Sequence, residues 1–337
     1  MKPIYLSAPG LICCAGRNKE ELYGSCLSGY QGGIVTRDEF GGGKFPVGQI
    51  PGDIPLEIPE QVFRPSEPLA YTGNTRIIRI INAALEQIGP EVKKAVAVYG
   101  PEKVGVCLGT CDNGSEGSFL GHKAFLANGA FPKDYSLRFQ SASFPAEFIS
   151  RKFGLKGPVL TVATACASGA SAIARGAELI RAGICGAVIA GGADIVSETV
   201  FLGFRSLEAL SNSLSNPFSK NRKGINLGEG AAFFLLHSSE PGLGGSPPPA
   251  GWGVELLGAG ESADAYHITA PGPDGAGPVK AMNAGLKEAG ISPEQIGYVN
   301  LHGTGTELND KAEALAMKAV FGEMPPPASS TKPIRAI

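Results

Sequence analysis

Residues 159–183 read VLTVATACASGASAIARGAELIRAG, and no other run constrains the fold as tightly. A β-branched stretch gives way at Thr164-Ala165-Cys166-Ala167-Ser168-Gly169 to small residues. Ala170, Ile173, Ala177 and Ile180 then recur at helical spacing. The chain must therefore turn from strand to helix at Cys166, and only small side chains leave room for so tight a turn. Further apolar runs at 104–108, 187–190 and 231–236 read as strands, as does 96–99. Strands of this kind with helical patterns between them predict an α/β protein whose sheet is covered on both faces.

Pro241 to Ala250, PGLGGSPPPA, reads as a linker. It divides the chain into an N-terminal unit, 1–240, which carries Cys166, and a C-terminal unit, 251–337. In the second unit Val279, Met282, Leu286 and Ala289 share one helical face, and Gly290 stops that helix. Ser292-Pro293-Glu294-Gln295 opens a turn with a capping box. Residues 298–301 form a strand that delivers His302. Asp310 to Phe321 follows as a helix closed by Gly322, and residues 323–327 form a second loop.

Composition excludes several classes. The formal net charge is −2 and no long run has a single sign, so nucleic acid is not an expected partner. No run approaches the roughly 18 apolar residues of a membrane helix. The N-terminal apolar stretch is broken by Pro9 and Gly10, which suits a strand and turn better than an export signal. A soluble, cytoplasmic protein is expected. The seven cysteines are odd in number and irregular in spacing, which argues against a disulfide framework. Cys107 and Cys111 form a lone CxxxC, so no metal site is expected. All but Cys166 read as buried, reduced thiols.

Cys166 at a helix N-terminus would meet free N–H groups and the helix dipole. Both favour an anion, lower a thiol's pKa and could hold an oxyanion. On turn geometry alone a functional thiol and a core cysteine both stand. His302 lies at a strand end in Asn300-Leu301-His302-Gly303-Thr304-Gly305-Thr306. A neutral imidazole there could donate to a thioester carbonyl or move a proton, or be a satisfied structural histidine. Asp310 and Glu313 read first as a D-x-x-E capping box. Lys332 by itself reads as solvent-facing. His267, in Asp264-Ala265-Tyr266-His267-Ile268-Thr269-Ala270-Pro271, reads equally well as structural or functional, and His122 and His237 read as structural. No GxGxxG opens a helix and no Walker loop is present.

Taken together, these segments resemble the β-ketoacyl-[acyl-carrier-protein] synthases of the thiolase superfamily, nearest the type II elongating branch. TACASG around Cys166 is similar to the family's nucleophile motif. Pro217-Phe218, Arg222 and Gly228-Glu229-Gly230-Ala231 resemble its PFD-x-x-R…GEGA segment, with Ser219 in place of the usual Asp. DAYHITAP, NLHGTGT, DKAEA and SSTK follow in the family's order. The resemblance implies a thiolase-like fold: two similar α/β halves with five-stranded mixed sheets in α-β-α-β-α layers, usually dimeric. It implies that Cys166 takes an acyl chain from an acyl carrier protein, and that malonyl-ACP then loses CO₂ to give the attacking carbanion. By the same resemblance His302 stabilises the enolate and Lys332 and Glu313 form a supporting ion pair. Thr304 and Thr306 bond the phosphopantetheine arm, and Thr269 lies near the acyl-thioester channel. No cofactor of its own is implied, because phosphopantetheine arrives on the substrate. The implied partners are acyl carrier protein, acyl and malonyl thioesters, and a second copy of the chain.

The family continues after its lysine with a second histidine and a glycine-rich oxyanion turn. Here Lys332 is followed only by Pro333-Ile334-Arg335-Ala336-Ile337, so the second half is expected to be incomplete and condensation impaired. Two other functions remain open. One is a non-catalytic partner resembling a chain-length factor, which the retained Cys166 argues against and the short C-terminus argues for. The other is a cysteine thioester hydrolase using Cys166 and His302, with Asn300 as a weak candidate to orient the ring. The sequence leaves chain length and pathway open, though the region around Phe201 and Phe204 is a candidate acyl-pocket lining.

Overall fold

A computed structural model of the protein describes residues 2–38, 41, 43–55, 75–112, 114–133, 135–238 and 254–336. The linker expected at Pro241–Ala250 lies outside these residues. The elements run, in order, β1 (Tyr5–Leu6), β2 (Gly10–Cys13), α1 (Lys19–Ser28), β3 (Ile34–Arg37), β4 (Phe45–Gly48), α2 (Arg76–Tyr99), β5 (Val104–Gly109), α3 (Ser115–Asn128), α4 (Phe144–Phe153) and β6 (Val159–Val162). They continue with α5 (Ser168–Arg181), β7 (Ala187–Asp194), α6 (Glu198–Ser206), β8 (Gly230–His237), β9 (Val254–Glu255), α7 (Ala276–Ala289), β10 (Val299–Asn300), α8 (Glu307–Phe321), β11 (Ala328–Ser329) and α9 (Lys332–Arg335).

The main sheet has the order β6-β5-β7-β8-β1-β9, and β2 also pairs with β8. β6, β5 and β7 are parallel, whereas β8 is antiparallel to β7. Five of its strands have four residues or more, and the two-residue strands β1 and β9 extend one edge. β5 is buried at every position, as expected of a strand covered on both faces. One face packs on α2, where Ile78, Ile81, Leu85, Ile88 and Val92 form a fully buried stripe. The other packs on α5 through Ala172, Ala177 and Ile180.

Residues 96–99 are the last turn of α2, not a strand. VAVY has strand composition, but it continues the apolar stripe begun at Ile77, and Ala95 is wholly buried. Burial at helical spacing overrides β-propensity here. Phe201 lies in a buried cluster with Ile225 and Leu227, edge-on to Phe45 with ring centroids 5.3 Å apart. Its side chain is packed within this cluster.

The second unit contributes a two-stranded parallel sheet, β10-β11, with Val299 opposite Ala328 and Asn300 opposite Ser329. It joins the first unit at several points. β9 adds to β1, and Arg181 on α5 pairs with Glu288 on α7. The C-terminal α9 docks on the N-terminal strands, with Cys14 Sγ 3.2 Å from Arg335 O and Gln31 Nε2 2.8 Å from Pro333 O. Among the described residues, no helix is long and apolar enough to cross a membrane.

Candidate active site

Cys166 sits where the sequence places it. β6 ends at Val162, a single 3-10 turn covers Ala165–Ala167, and α5 begins at Ser168. Ala165 has φ 51°, a left-handed conformation that strains a residue with a Cβ. The Ser168 hydroxyl stabilises the elbow, accepting from Thr164 N at 2.9 Å and donating to Ala165 O at 2.6 Å. A Cβ on Gly109 would stand 2.3 Å from the Ser168 carbonyl carbon, so glycine lets α5 press its first turn against the end of β5.

Cys166 is exposed, whereas Cys14, Cys107 and Cys185 are buried and Cys13, Cys26 and Cys111 are half-buried. The expected low thiol pKa is not what this environment produces. Atoms crowding the sulfur raise it, and Asp194 adds to the rise. The Lys332 charge and a hydrogen bond from the residue's own N–H pull the other way without prevailing. Desolvation outweighs the Lys332 charge and the N–H hydrogen bond together.

His302 and Lys332 meet because β10 and β11 are parallel neighbours. Both strands leave the sheet in one direction, and Leu301 N still donates to Ser329 O at 2.8 Å before the loops begin. Lys332 Nζ donates to His302 O and lies 3.2 Å from His302 Nδ1. Lys332 is 7% exposed, not solvent-facing, and burial lowers its pKa to about 8, with the Arg335 charge acting in the same direction. His302 is exposed. Crowding around the ring and the Lys332 charge nevertheless bring its pKa down to about 4. The ring is therefore neutral at pH 7. A lysine donates and does not accept, so Nδ1 is the acceptor and Nε2 carries the hydrogen.

Glu313 and Asp310 do not form the expected capping box. α8 starts at Glu307 with Thr306 as N-cap, earlier than the sequence suggested, which places both acids within the helix. Both are buried and hold the histidine loop from beneath. Glu313 accepts from His302 N at 2.6 Å and Gly303 N at 2.8 Å. Asp310 accepts from Gly305 N at 3.1 Å and Phe218 N at 2.7 Å. The implied Lys332–Glu313 ion pair is likewise not a contact. Each is committed to a different part of His302, and they act on each other only at a distance. Arg222 was part of a motif without a role. It donates to Thr306 O and Ser219 O and lies 3.6 Å from Asp310, tying the two motif segments together.

The Thr304 and Thr306 hydroxyls are 2.8 Å apart beside His302. Thr269 is exposed on a separate loop, where its hydroxyl lies 3.3 Å from His267 Nδ1; no contact with the other site residues is seen among the described residues. Among those residues, no group of His, Cys, Asp and Glu is arranged to hold a metal ion.

An α/β fold with a cysteine at a strand–helix elbow and a lysine-fixed histidine, the lysine's charge acting on the thiol as well, defines a thiolase-like architecture. Residues 78–241 match the family Beta-ketoacyl synthase, N-terminal domain, and residues 254–335 match Beta-ketoacyl synthase, C-terminal domain. The chain is 32% identical over 334 residues to 3-oxoacyl-[acyl-carrier-protein] synthase 2 of Vibrio cholerae, covering 95% of this chain and 77% of that protein. It is 36% identical over 241 residues to nodulation protein E of Rhizobium meliloti, covering 71% of this chain and 58% of that protein. Among solved structures it is similar to a chain of the complex between the ketosynthase ApeO and its chain length factor ApeC from Xenorhabdus doucetiae. There the TM-score is 0.88 at 36% identity, over 99% of this chain and 80% of that one. A β-ketoacyl synthase of Burkholderia phymatum gives a TM-score of 0.82 at 25% identity, over 100% and 82%. The chain belongs to the β-ketoacyl synthase family.

Proposed function

We propose that this chain is a 3-oxoacyl-ACP synthase that forms an acyl thioester on Cys166 and condenses it with malonyl-ACP. The observation that carries this reading is the position of Lys332: it bonds Nδ1 of a neutral His302, and its charge also acts on the exposed Cys166 thiol. Such a ring donates a hydrogen bond without giving up a proton, which suits a developing oxyanion or enolate. In the first step Cys166 sulfur attacks the carbonyl of an acyl-ACP. The new C–S bond forms as the old one breaks, and the phosphopantetheine sulfur leaves with the thiol proton. In the second step malonyl-ACP loses CO₂, His302 Nε2–H bonds the enolate oxygen, and the carbanion displaces Cys166. Lys332 fixes the tautomer and Glu313 fixes the loop. The Thr304–Thr306 pair keeps one hydroxyl hydrogen for the phosphopantetheine arm, and Thr269 borders the approach to the channel.

The test is to incubate the chain with acyl-ACP and weigh the Cys166 peptide. A stable acyl adduct, absent from Cys166→Ala, is expected, followed by decarboxylation of added malonyl-ACP. No adduct would sink the reading, and rapid release of free acid would mark a hydrolase. The reading also brings a second copy as partner. β6 is an edge strand with Leu160 exposed, and Phe125, Leu126, Phe131 and Leu137 are exposed apolar groups. Sedimentation should give a dimer mass, and a monomer that gains mass only with a chain length factor would replace the homodimer by a mixed pair.

A further inference from the structure

Asp194 ends β7 with its carboxylate turned to the end of β5. One oxygen, Oδ1, accepts from Thr110 Oγ1 at 3.0 Å, Cys111 N at 2.6 Å and Asp112 N at 2.9 Å. These bonds fix a loop that continues β5 beyond its ladder, where Thr110 N donates to Val162 O at 3.2 Å. The loop runs beside the Cys166 elbow, and the Cys111 thiol is hydrogen-bonded with the Ser168 side chain that ties the elbow together. On its other side Thr110, Asp112 and Glu116 help line a small cavity of about 30 Å³, room for little more than a water. The sequence signal for Asp194 was an acid closing an otherwise apolar strand, AVIAGGAD.

We propose that Asp194 is a positioning residue for the thiol site: through its three hydrogen bonds it seats the loop 110–112 against the Cys166 elbow, and from there its carboxylate acts on the thiol in opposition to Lys332. The proposal rests on reading Cys166 as the nucleophile. The groups acting on the thiol are Lys332 from α9, Asp194 from β7, the Cys111 thiol from the loop after β5, and the N–H of its own turn. Burial is the main reason the resting thiol keeps its proton; Asp194 adds to that rise and Lys332 opposes it, so removing either charge moves the thiol from its resting value.

The test separates charge from scaffolding. Asp194→Asn keeps an oxygen able to accept the three donors and removes the charge. In the full chain, alkylation of Cys166 by iodoacetamide is followed across neutral and alkaline pH by mass of its peptide. In Asp194→Asn the rate profile is expected to move to lower pH, with faster labelling at neutral pH. In Lys332→Met it is expected to move to higher pH, and in Asp194→Glu to stay near that of the parent chain. A folded Asp194→Asn with an unmoved profile, or one moved to higher pH, overturns the charge role. The seating role is read without substitution, because amide exchange at Cys111 and Asp112 should be slow, and fast exchange there overturns it. Iodoacetamide needs no acyl transfer. Failure of acyl-ACP to modify Cys166 would therefore end the condensing reading and leave the Asp194 result standing.

Discussion

Both oxygens of Glu313 are committed to N–H groups of the His302 loop, so Glu313→Ala leaves two donors without an acceptor beneath the site. The expected loss is on the order of 3 kcal/mol, read by urea unfolding, with a smaller loss for Glu313→Gln, which keeps one acceptor. His302 gives a prediction in pH. Its pKa is about 4 in the folded chain against 6.5 ordinarily. Between those values the unfolded chain binds a proton that the folded chain refuses, so this residue makes the fold less stable as pH falls through that window. The imidazole nitrogens, followed by NMR, should show the Nε2–H tautomer at neutral pH and no titration until near pH 4. A midpoint near 6.5, or a hydrogen on Nδ1, would refute the Lys332–His302 arrangement. Cys166 was legible as the chemical centre because its motif forces a turn. Its protonation was not legible, because it depends on burial in the folded chain and on the charges of residues distant in sequence, Lys332 and Asp194.

At the scale of elements, the seat of α5 against β5 decides where the thiol stands. A methyl on Gly109 would fall 2.3 Å from Ser168 carbon and 2.4 Å from its oxygen, both backbone atoms that cannot swing aside. Gly109→Ala should cost about 1–3 kcal/mol and displace the elbow. Thermal melting together with the rate of Cys166 alkylation would test this, and an unchanged pair of values would show that the contact yields. The α2 stripe is the larger store of stability. Leu85→Ala, at a fully buried site, should cost roughly 2–5 kcal/mol. The strands at β5 and β6, α7 with its Gly290 stop, and the capping box at Ser292 were all legible, because each depends on neighbours within a few residues. The end of α2 and the start of α8 were not. Strand-like residues at 96–99 continue a helix because its apolar stripe continues, and Asp310 enters a helix because its carboxylate is needed by Phe218 and Gly305.

Across the whole molecule, the two sequence units are joined by side chains more than by sheet. Asp310 links the histidine loop to the Phe218 segment, Arg222 bonds both, and Arg175 and Arg181 on α5 reach Glu261 and Glu288. Asp310→Ala removes the acceptor for two N–H groups and the partner of Arg222. It should lower stability by about 2–4 kcal/mol. Limited proteolysis should then cut near residue 218 or 303 before the main sheet opens; cleavage unchanged from the parent chain would show that the link carries little. The sequence by itself determined that a strand hands Cys166 to a helix, that His302 leaves a second strand, and that the family motifs occur in order, since periodicity and turn chemistry are local. Only the tertiary structure decided that Lys332 fixes the His302 tautomer, that Glu313 holds a loop and not a lysine, and that Asp194 gathers the loop after β5. Hydrogen bonds and desolvation act over a few ångströms of space, and the chain brings those groups together from positions as far apart as 166, 194 and 332.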